Sequence, residues 1–249
     1  MNKREIQEQQ YTFPYHYIPR VAPDGTPALS QRLAWGFEYL GYVGAVRAAV
    51  QDLHPRSVLE VGCGDGRVLA ELNGIVAQRV GWDLSAAAIR FAQAFDPSAT
   101  YHCRKAEDLD SLQCDVVLAV ETLEHIPPEM VTAFLNAIWQ RVRPGGHLLL
   151  TVPSDLRPVH AKHYQHFNPD TLRQQVEQAL GKATCISARE ICRDSRLINL
   201  WQRLFMNRRW WCEVAWLNRR MWHFYQTHCI LPGSARGTHV IALFAKPCS

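Results

Sequence analysis

The residues with the clearest chemistry lie in the run VLEVGCGDGRVL at 58–69. An apolar, strand-like stretch feeds three alternating glycines, Gly62, Gly64 and Gly66, and an apolar-periodic helical stretch follows. Glycines at this spacing permit a tight turn and let a ligand approach the backbone closely. A plain strand-to-helix turn needs fewer of them. Just ahead of the loop stands Glu60. Its carboxylate would repel the pyrophosphate of a dinucleotide and attract a cationic α-amino group. The dinucleotide fingerprint also fails at its third glycine, where this chain carries Arg67. The sign of the charge favours S-adenosylmethionine. A second acid, Asp83, ends the next apolar run at the distance expected of a ribose-hydroxyl acceptor. With Ser85 capping the helix that follows, Asp83 is expected to be left free for that role.

A second group of chemically capable residues follows the fourth apolar run: Glu121, Glu124 and His125. If this segment is helical, Glu121 shares a face with both of the others. Two carboxylates and an imidazole facing together can bind a divalent cation such as Mg²⁺ or Mn²⁺. His125 can equally act as a base, or simply pack. Further along, AKHYQHF supplies His163 and His166, and with His160 these also read as ordinary surface-loop residues.

The elements that must position these residues are legible as short apolar runs alternating with helical patterns. The predicted strands are Ser57–Val61, Arg79–Asp83, Thr100–Cys103, Asp115–Val120, His147–Val152, Thr184–Ala188 and His239–Ala245. Helical spacing occupies Ser85–Phe95, Pro128–Arg141 and Asp170–Leu180, and also Pro27–Leu53 ahead of the first strand. Such alternation predicts an α/β fold, doubly wound, with a mostly parallel sheet and helices on both faces. Ligands in such sheets bind beyond the carboxyl ends of the strands, where the glycine loop and the Glu121–His125 loop both lie.

Taken in order, these segments resemble a class I S-adenosylmethionine-dependent methyltransferase over about residues 55–190, with a weaker likeness at the final strand. VLEVGCGDG is similar to the cofactor loop of that family and VGWDLS to its ribose-binding strand. KAEDL at 105–109 resembles the adenine-side loop, CDVVLAVETLEHI the fourth strand and VRPGGHLLLTVP the fifth. Lys105 departs from the pattern, since many relatives carry an acid there, which leaves Ala106 (through its backbone) and Glu107 as the adenine contacts. The resemblance implies a Rossmann-like sheet of seven strands with the last antiparallel, and methyl transfer from S-adenosylmethionine. It places Glu60, Gly62, Gly64, Gly66, Asp83, Ala106, Glu107 and Glu121 around the cofactor, and His125, His166 and Glu124 at the chemistry. The ExxEH pattern also occurs in ubiquinone-biosynthesis O-methyltransferases and in small-RNA 3′-end 2′-O-methyltransferases, where it resembles a metal site. The second of these families adds a later histidine, which His166, followed by Phe167, matches better than His163. The implied metal set is Glu121, Glu124, His125 and His166.

Composition bounds the remainder. The 249 residues, 47% hydrophobic and 20% charged, can fill a core, and a net charge of +4 permits an anionic partner without demanding one. Eight cysteines show no zinc-like spacing, and the charged start MNKREIQEQQ has no apolar signal core, so a reduced, cytoplasmic protein is expected. One domain is expected: an N-terminal arm and helix over 1–54, a cofactor-binding core over 55–190, a Trp/Arg-rich helical insertion over 191–236 and a final strand and tail over 237–249. The insertion carries Trp201, Trp210, Trp211, Trp216 and Trp222 among Arg203, Arg208, Arg209, Arg219 and Arg220. It reads as a helical cap over the site, as an amphipathic surface for peripheral membrane contact, or as a grip on nucleic acid. Helical apolar spacing at 197, 200, 201, 204, 205, 211, 214, 215, 221, 222 and 225 suits packing. The aromatic arm Tyr11–Pro19 either folds over the cofactor or straps the sheet. The leading function is methylation of an oxygen or nitrogen of a small molecule: a metabolite, a saccharide or a natural-product intermediate. The alternatives are a metal-dependent RNA ribose 2′-O-methyltransferase and a non-catalytic S-adenosylmethionine-binding subunit.

Overall fold

A computed structural model of the chain describes residues 3, 20–21, 27–28, 36–106, 112–207, 209–210, 212, 214–230 and 236–248. Seven strands form one sheet: β1 (Ser57–Val61), β2 (Gln78–Asp83), β3 (Thr100–Cys103), β4 (Cys114–Val120), β5 (Val142–Pro153), β6 (Thr184–Ile191) and β7 (His239–Ala245). Their order across the sheet is β3-β2-β1-β4-β5-β7-β6, and only β7 runs antiparallel to its neighbours. A separate two-residue pair, Arg20–Val21 with Pro27–Ala28, precedes the sheet. The helices are α1 (Gly36–Leu53), α2 (Arg67–Glu71), α3 (Ala86–Phe95), α4 (Val131–Gln140), α5 (Pro169–Leu180), α6 (Arg196–Phe205) and α7 (Ala215–His228).

The strands are apolar on both faces because both faces are covered. Val58 joins the cluster built from Val43, Val46 and Val50 of α1, Leu69 of α2 and Ile89 of α3. Leu59 and Val61 point the other way, into the cluster of Phe134, Leu135 and Ile138 of α4 and Val176 of α5. The winding reverses between β1 and β4, so a crevice opens at the carboxyl ends of these two strands. Local sequence sets the helix starts. Ser85 Oγ accepts from Ala88 N at 3.2 Å, and Asn168 with Thr171 forms a reciprocal capping box ahead of Pro169.

Several boundaries differ from the sequence reading. β5 begins five residues earlier than expected, because Val142 already pairs with Cys114; an irregularity at Gly145, with φ 73°, separates that pair from the continuous pairing that starts at His147. β6 continues to Ile191, three residues further, following its antiparallel partner down to His239. The helical run expected from Pro27 is replaced at its start by the Pro27–Ala28 pairing. The Tyr11–Pro19 arm and Glu107 lie outside the described residues, as do Arg208 and Trp211.

Candidate functional site

The glycine loop turns on left-handed backbone. Gly62, Gly64 and Gly66 have φ of 78°, 54° and 78°, a region that L side chains rarely adopt. At Gly62 the absence of a side chain is also steric, since a Cβ would lie 2.4 Å from Thr122 Oγ1. This contact is where the glycine loop meets the loop after β4. The turn is tied down by Gly62 N and Cys63 N, which donate to Trp82 O at 2.7 and 3.0 Å.

Glu60 is buried beneath this turn, with Oε2 shut from solvent and lacking a hydrogen-bond partner. Burial, and then the neighbouring Asp65 and Asp83, push its carboxyl well above the usual carboxylate range. A cationic donor reaching Oε2 would relieve both conditions. Asp83 is not free as expected. Ser85 does cap α3, but Asp83 Oδ1 accepts from Ser85 N at 2.8 Å and Oδ2 from Gly64 N at 2.9 Å. The carboxylate thus braces the glycine loop. Ala106 packs partly buried against the core beneath, and Arg104 lies over the Trp82 ring at 5.4 Å.

The acceptor side departs further from expectation. Within the Glu121–His125 segment the helical part is a short 3₁₀ turn, Leu123–His125, and Glu121 stands outside it at φ 50°. Glu121 therefore does not share a helical face with Glu124 and His125. It turns instead to His239 of β7, whose Nε2 lies 3.2 Å from Glu121 Oε2 and whose Nδ1 lies 3.2 Å from Glu38 Oε1. Burial opposes a charged imidazole at His239, but Glu121 and Glu38 outweigh it and hold the group well above its ordinary pKa. Tyr42 covers that ring at 4.9 Å.

The ligand atoms that do converge belong to Glu124, His125 and His163, all within 4.8 Å of one another. His166 stands behind this group rather than in it: its Nε2 lies 2.8 Å from His163 Nδ1. His163, not His166, is thus the later histidine at the site, and Glu121 leaves the set. Backbone carbonyls fix the tautomers. A carbonyl only accepts, so His125 Nδ1 must donate to Lys162 O at 3.2 Å, leaving the lone pair on Nε2. By the same logic His166 Nδ1 donates to Arg157 O at 3.0 Å, and His166 Nε2 accepts from His163 Nδ1. His163 then also carries its lone pair on Nε2. Burial and the Lys162 charge push His125 down to about 4, and burial with His125 pushes His163 down to about 3, so both are neutral at pH 7. Glu124 is buried, its Oε2 unpartnered; burial and Glu121 raise its carboxyl well above the usual range. Two neutral imidazoles and a carboxylate, with the outer nitrogen of His125 on the Lys162 carbonyl and that of His163 on the His166 ring, have the donor chemistry of a cation site. From the N-terminal arm, Lys3 donates to Ala161 O at 3.1 Å and to His163 O, bracing this loop.

Residues 42–229 match the model of a family described as a methyltransferase domain. The chain belongs to the class I S-adenosylmethionine-dependent methyltransferases. Among curated relatives of this methyltransferase, it is 32% identical over 107 residues to a ubiquinone biosynthesis O-methyltransferase of Xanthomonas oryzae pv. oryzae, covering 40% of this chain and 44% of that one. A mitochondrial ubiquinone biosynthesis O-methyltransferase of Mus musculus is 35% identical over 111 residues, covering 41% of this chain and 30% of the relative. The chain thus spans less than half the length of these curated relatives. The fold resembles an N-methyltransferase of Bradyrhizobium japonicum WM9 in complex with S-adenosyl-L-homocysteine, at TM-score 0.62 and 12% identity over 99% of this chain and 100% of that one. It also resembles a magnesium protoporphyrin IX methyltransferase of Synechocystis PCC 6803 with bound S-adenosylmethionine, at TM-score 0.60 and 15% identity over 99% and 98% of the two chains.

Sequence reasoning missed Glu38, Tyr42 and His239. An acid in the first turn of a helix reads as an ordinary dipole partner, and a histidine opening a strand gives no signal of its own. Only the tertiary fold brings α1 and β7 to Glu121.

Proposed function

We propose that this methyltransferase methylates an oxygen of a small molecule, with a divalent cation held by Glu124, His125 and His163. The supporting observation is that His163 converges with Glu124 and His125, which stand in the loop whose Thr122 meets the glycine turn at Gly62. S-adenosylmethionine supplies the methyl group as an electrophile. The chain's own work is to hold it and to ready the acceptor. Glu60 would take the cationic α-amino group, Asp83 the ribose hydroxyls, and Ala106 the adenine through its backbone. Water exclusion falls to the buried walls of the crevice. Glu124, His125 and His163 would hold a cation able to lower the pKa of an acceptor hydroxyl. Two imidazole nitrogens with one carboxylate suit Mn²⁺ better than Mg²⁺, which prefers an all-oxygen shell. The Lys162 ammonium, lowered by burial, sits near Glu124 and Glu121 and would compete with that cation.

The test pairs binding with turnover. Purified protein should show a Mn²⁺-dependent rise in melting temperature that His163→Ala abolishes. S-adenosylhomocysteine release with a panel of vicinal-oxygen aromatic acceptors should fall at least tenfold after chelation. Unchanged melting and turnover without metal would remove the cation and recast His125 and His163 as bases. Release with an RNA pool but with no small molecule would move the reading to ribose methylation.

A further inference from the structure

Helix α6 reads RLINLWQRLF, with apolar residues on two sides. One side is spent on packing. Ile198 and Trp201, with Phe205 beside them, join Tyr225 and Cys229 beneath the insertion, and Phe37 of α1 stacks on Trp201 at 5.1 Å. The other side faces water: Leu197, Leu200 and Leu204, at i, i+3 and i+7, are 45%, 54% and 53% exposed. This corrects the expectation that the helical apolar spacing of 197, 200 and 204 serves packing. Trp210 extends the exposed stripe at 56%, held at its end by Nε1 donating to Leu204 O at 2.7 Å. On α7, Trp216 is 61% exposed, one turn from Arg219 and Arg220.

The charge of the chain is concentrated on the same segment. Residues 195–230 contain six arginines (196, 203, 208, 209, 219 and 220) against one glutamate, Glu213. That net +5 exceeds the +4 of the whole chain, so the remainder is slightly acidic. Arg196 and Arg203 flank Leu200 at i−4 and i+3, on the exposed side of α6.

We propose that α6 and the start of α7 form an interfacial surface that docks on an anionic lipid bilayer. Leucines set into the headgroup boundary, tryptophans at its level and arginines on phosphates match the three layers of such an interface. A second protein copy would have to present a matching acidic face, and the acidic remainder of this chain carries only a slight net charge. Nucleic acid would use the arginines but leave the leucine stripe in water. On the opposite side of α6, Ile198, Asn199 and Gln202 line a cavity of about 200 Å³ together with Phe37, Glu38 and Arg157. Docking would therefore seat the membrane along the wall of that cavity. The proposal stands independently of the cation and of the acceptor.

Flotation with vesicles settles it. The full chain should float with phosphatidylcholine vesicles containing about 30% phosphatidylglycerol and stay down with phosphatidylcholine alone. Each arginine near an anionic surface contributes enough that Arg219→Gln with Arg220→Gln should lower partitioning about tenfold to thirtyfold. Replacing Leu197, Leu200 and Leu204 together by Glu should abolish flotation while leaving the melting temperature and S-adenosylhomocysteine affinity at wild-type values. Should that triple variant unfold, Leu200→Ser alone must still lower partitioning several-fold. No flotation of the wild type, equal flotation of the leucine variant, or a concentration-dependent dimer lost with the same leucines would each overturn the proposal. So would tight RNA binding that the leucine changes leave intact.

Discussion

The two halves of the crevice are built by different means. On the cofactor side the chain bends through three left-handed glycines, and the key groups come from residues 60–83, on adjacent strands. Most of its geometry is main chain: Gly62 N and Cys63 N on Trp82 O, and Gly64 N on Asp83. On the acceptor side the groups are side chains drawn from Glu38, Glu121, Glu124, His163 and His239, spread over two hundred residues of sequence. A site made from backbone tolerates almost no change at its hinges. One made from side chains distributes its burden over partners that can be exchanged singly.

The sharpest way to break this contrast is Gly62→Val. The substituent meets left-handed strain and the Thr122 side chain at once, an expected loss of about 3–5 kcal/mol in unfolding free energy together with cofactor binding. Denaturant titration reads the first and calorimetry the second. A variant that melts like wild type would show that the turn is not rigid.

Below the glycine loop, the cofactor half rests on a buried ion pair. Arg79 Nη1 lies 2.6 Å from Asp96 Oδ2, with side chains 3% and 7% accessible. Burial alone would raise Asp96, but Ser98 and Arg79 outweigh it and lower its pKa. The linkage has a definite sign: with the folded value below the unfolded one of about 3.9, the stabilisation is complete above that value and is lost as pH falls through the folded one. Asp96→Asn should cost about 3 kcal/mol at pH 7, because a buried guanidinium is left without its counter-charge. The gap between variant and wild type should close under acid conditions, and a gap that widens there would reverse the assignment.

These two sites also show what the sequence could carry. The glycine turn, Glu60 and the seven strands were readable because each is a local pattern: fixed spacing, a charge at a strand end, apolar runs. The acceptor side was read wrongly in detail for the opposite reason. Glu121 looked like a partner of Glu124 because helical spacing was assumed, whereas the chain leaves the helical region at Glu121 and the carboxylate finds His239. His166 looked better than His163 on its neighbour Phe167 alone. That phenylalanine is a core residue whose main chain pairs with Ser154, and the hydrogen-bond chain decides which imidazole faces Glu124. Asp83 was read as free because the loop's own N–H groups are invisible until the turn is folded.

Asp83 offers a gentler comparison between bracing and binding. Asp83→Ala removes two backbone hydrogen bonds and any ribose contact, and should weaken S-adenosylhomocysteine by about 1.5–3 kcal/mol in titration calorimetry. If affinity is kept while the melting temperature drops, Asp83 serves the loop alone.

The smallest effect is expected at His166, and it is the most discriminating for the acceptor half. His166 is not one of the converging groups; it accepts from His163 Nδ1 and passes the orientation to the Arg157 carbonyl. Such an outer partner typically contributes tenfold to a hundredfold in metal affinity. His166→Ala should accordingly weaken Mn²⁺ about tenfold in a melting-temperature titration, where His163→Ala removes the response altogether. His166→Asn can still accept from His163 through its amide oxygen, so it should recover part of the loss. If His166→Ala matched His163→Ala, His166 would have to enter the cation's own shell. The side-chain half of the crevice would then rearrange on loading in a way that the backbone half does not.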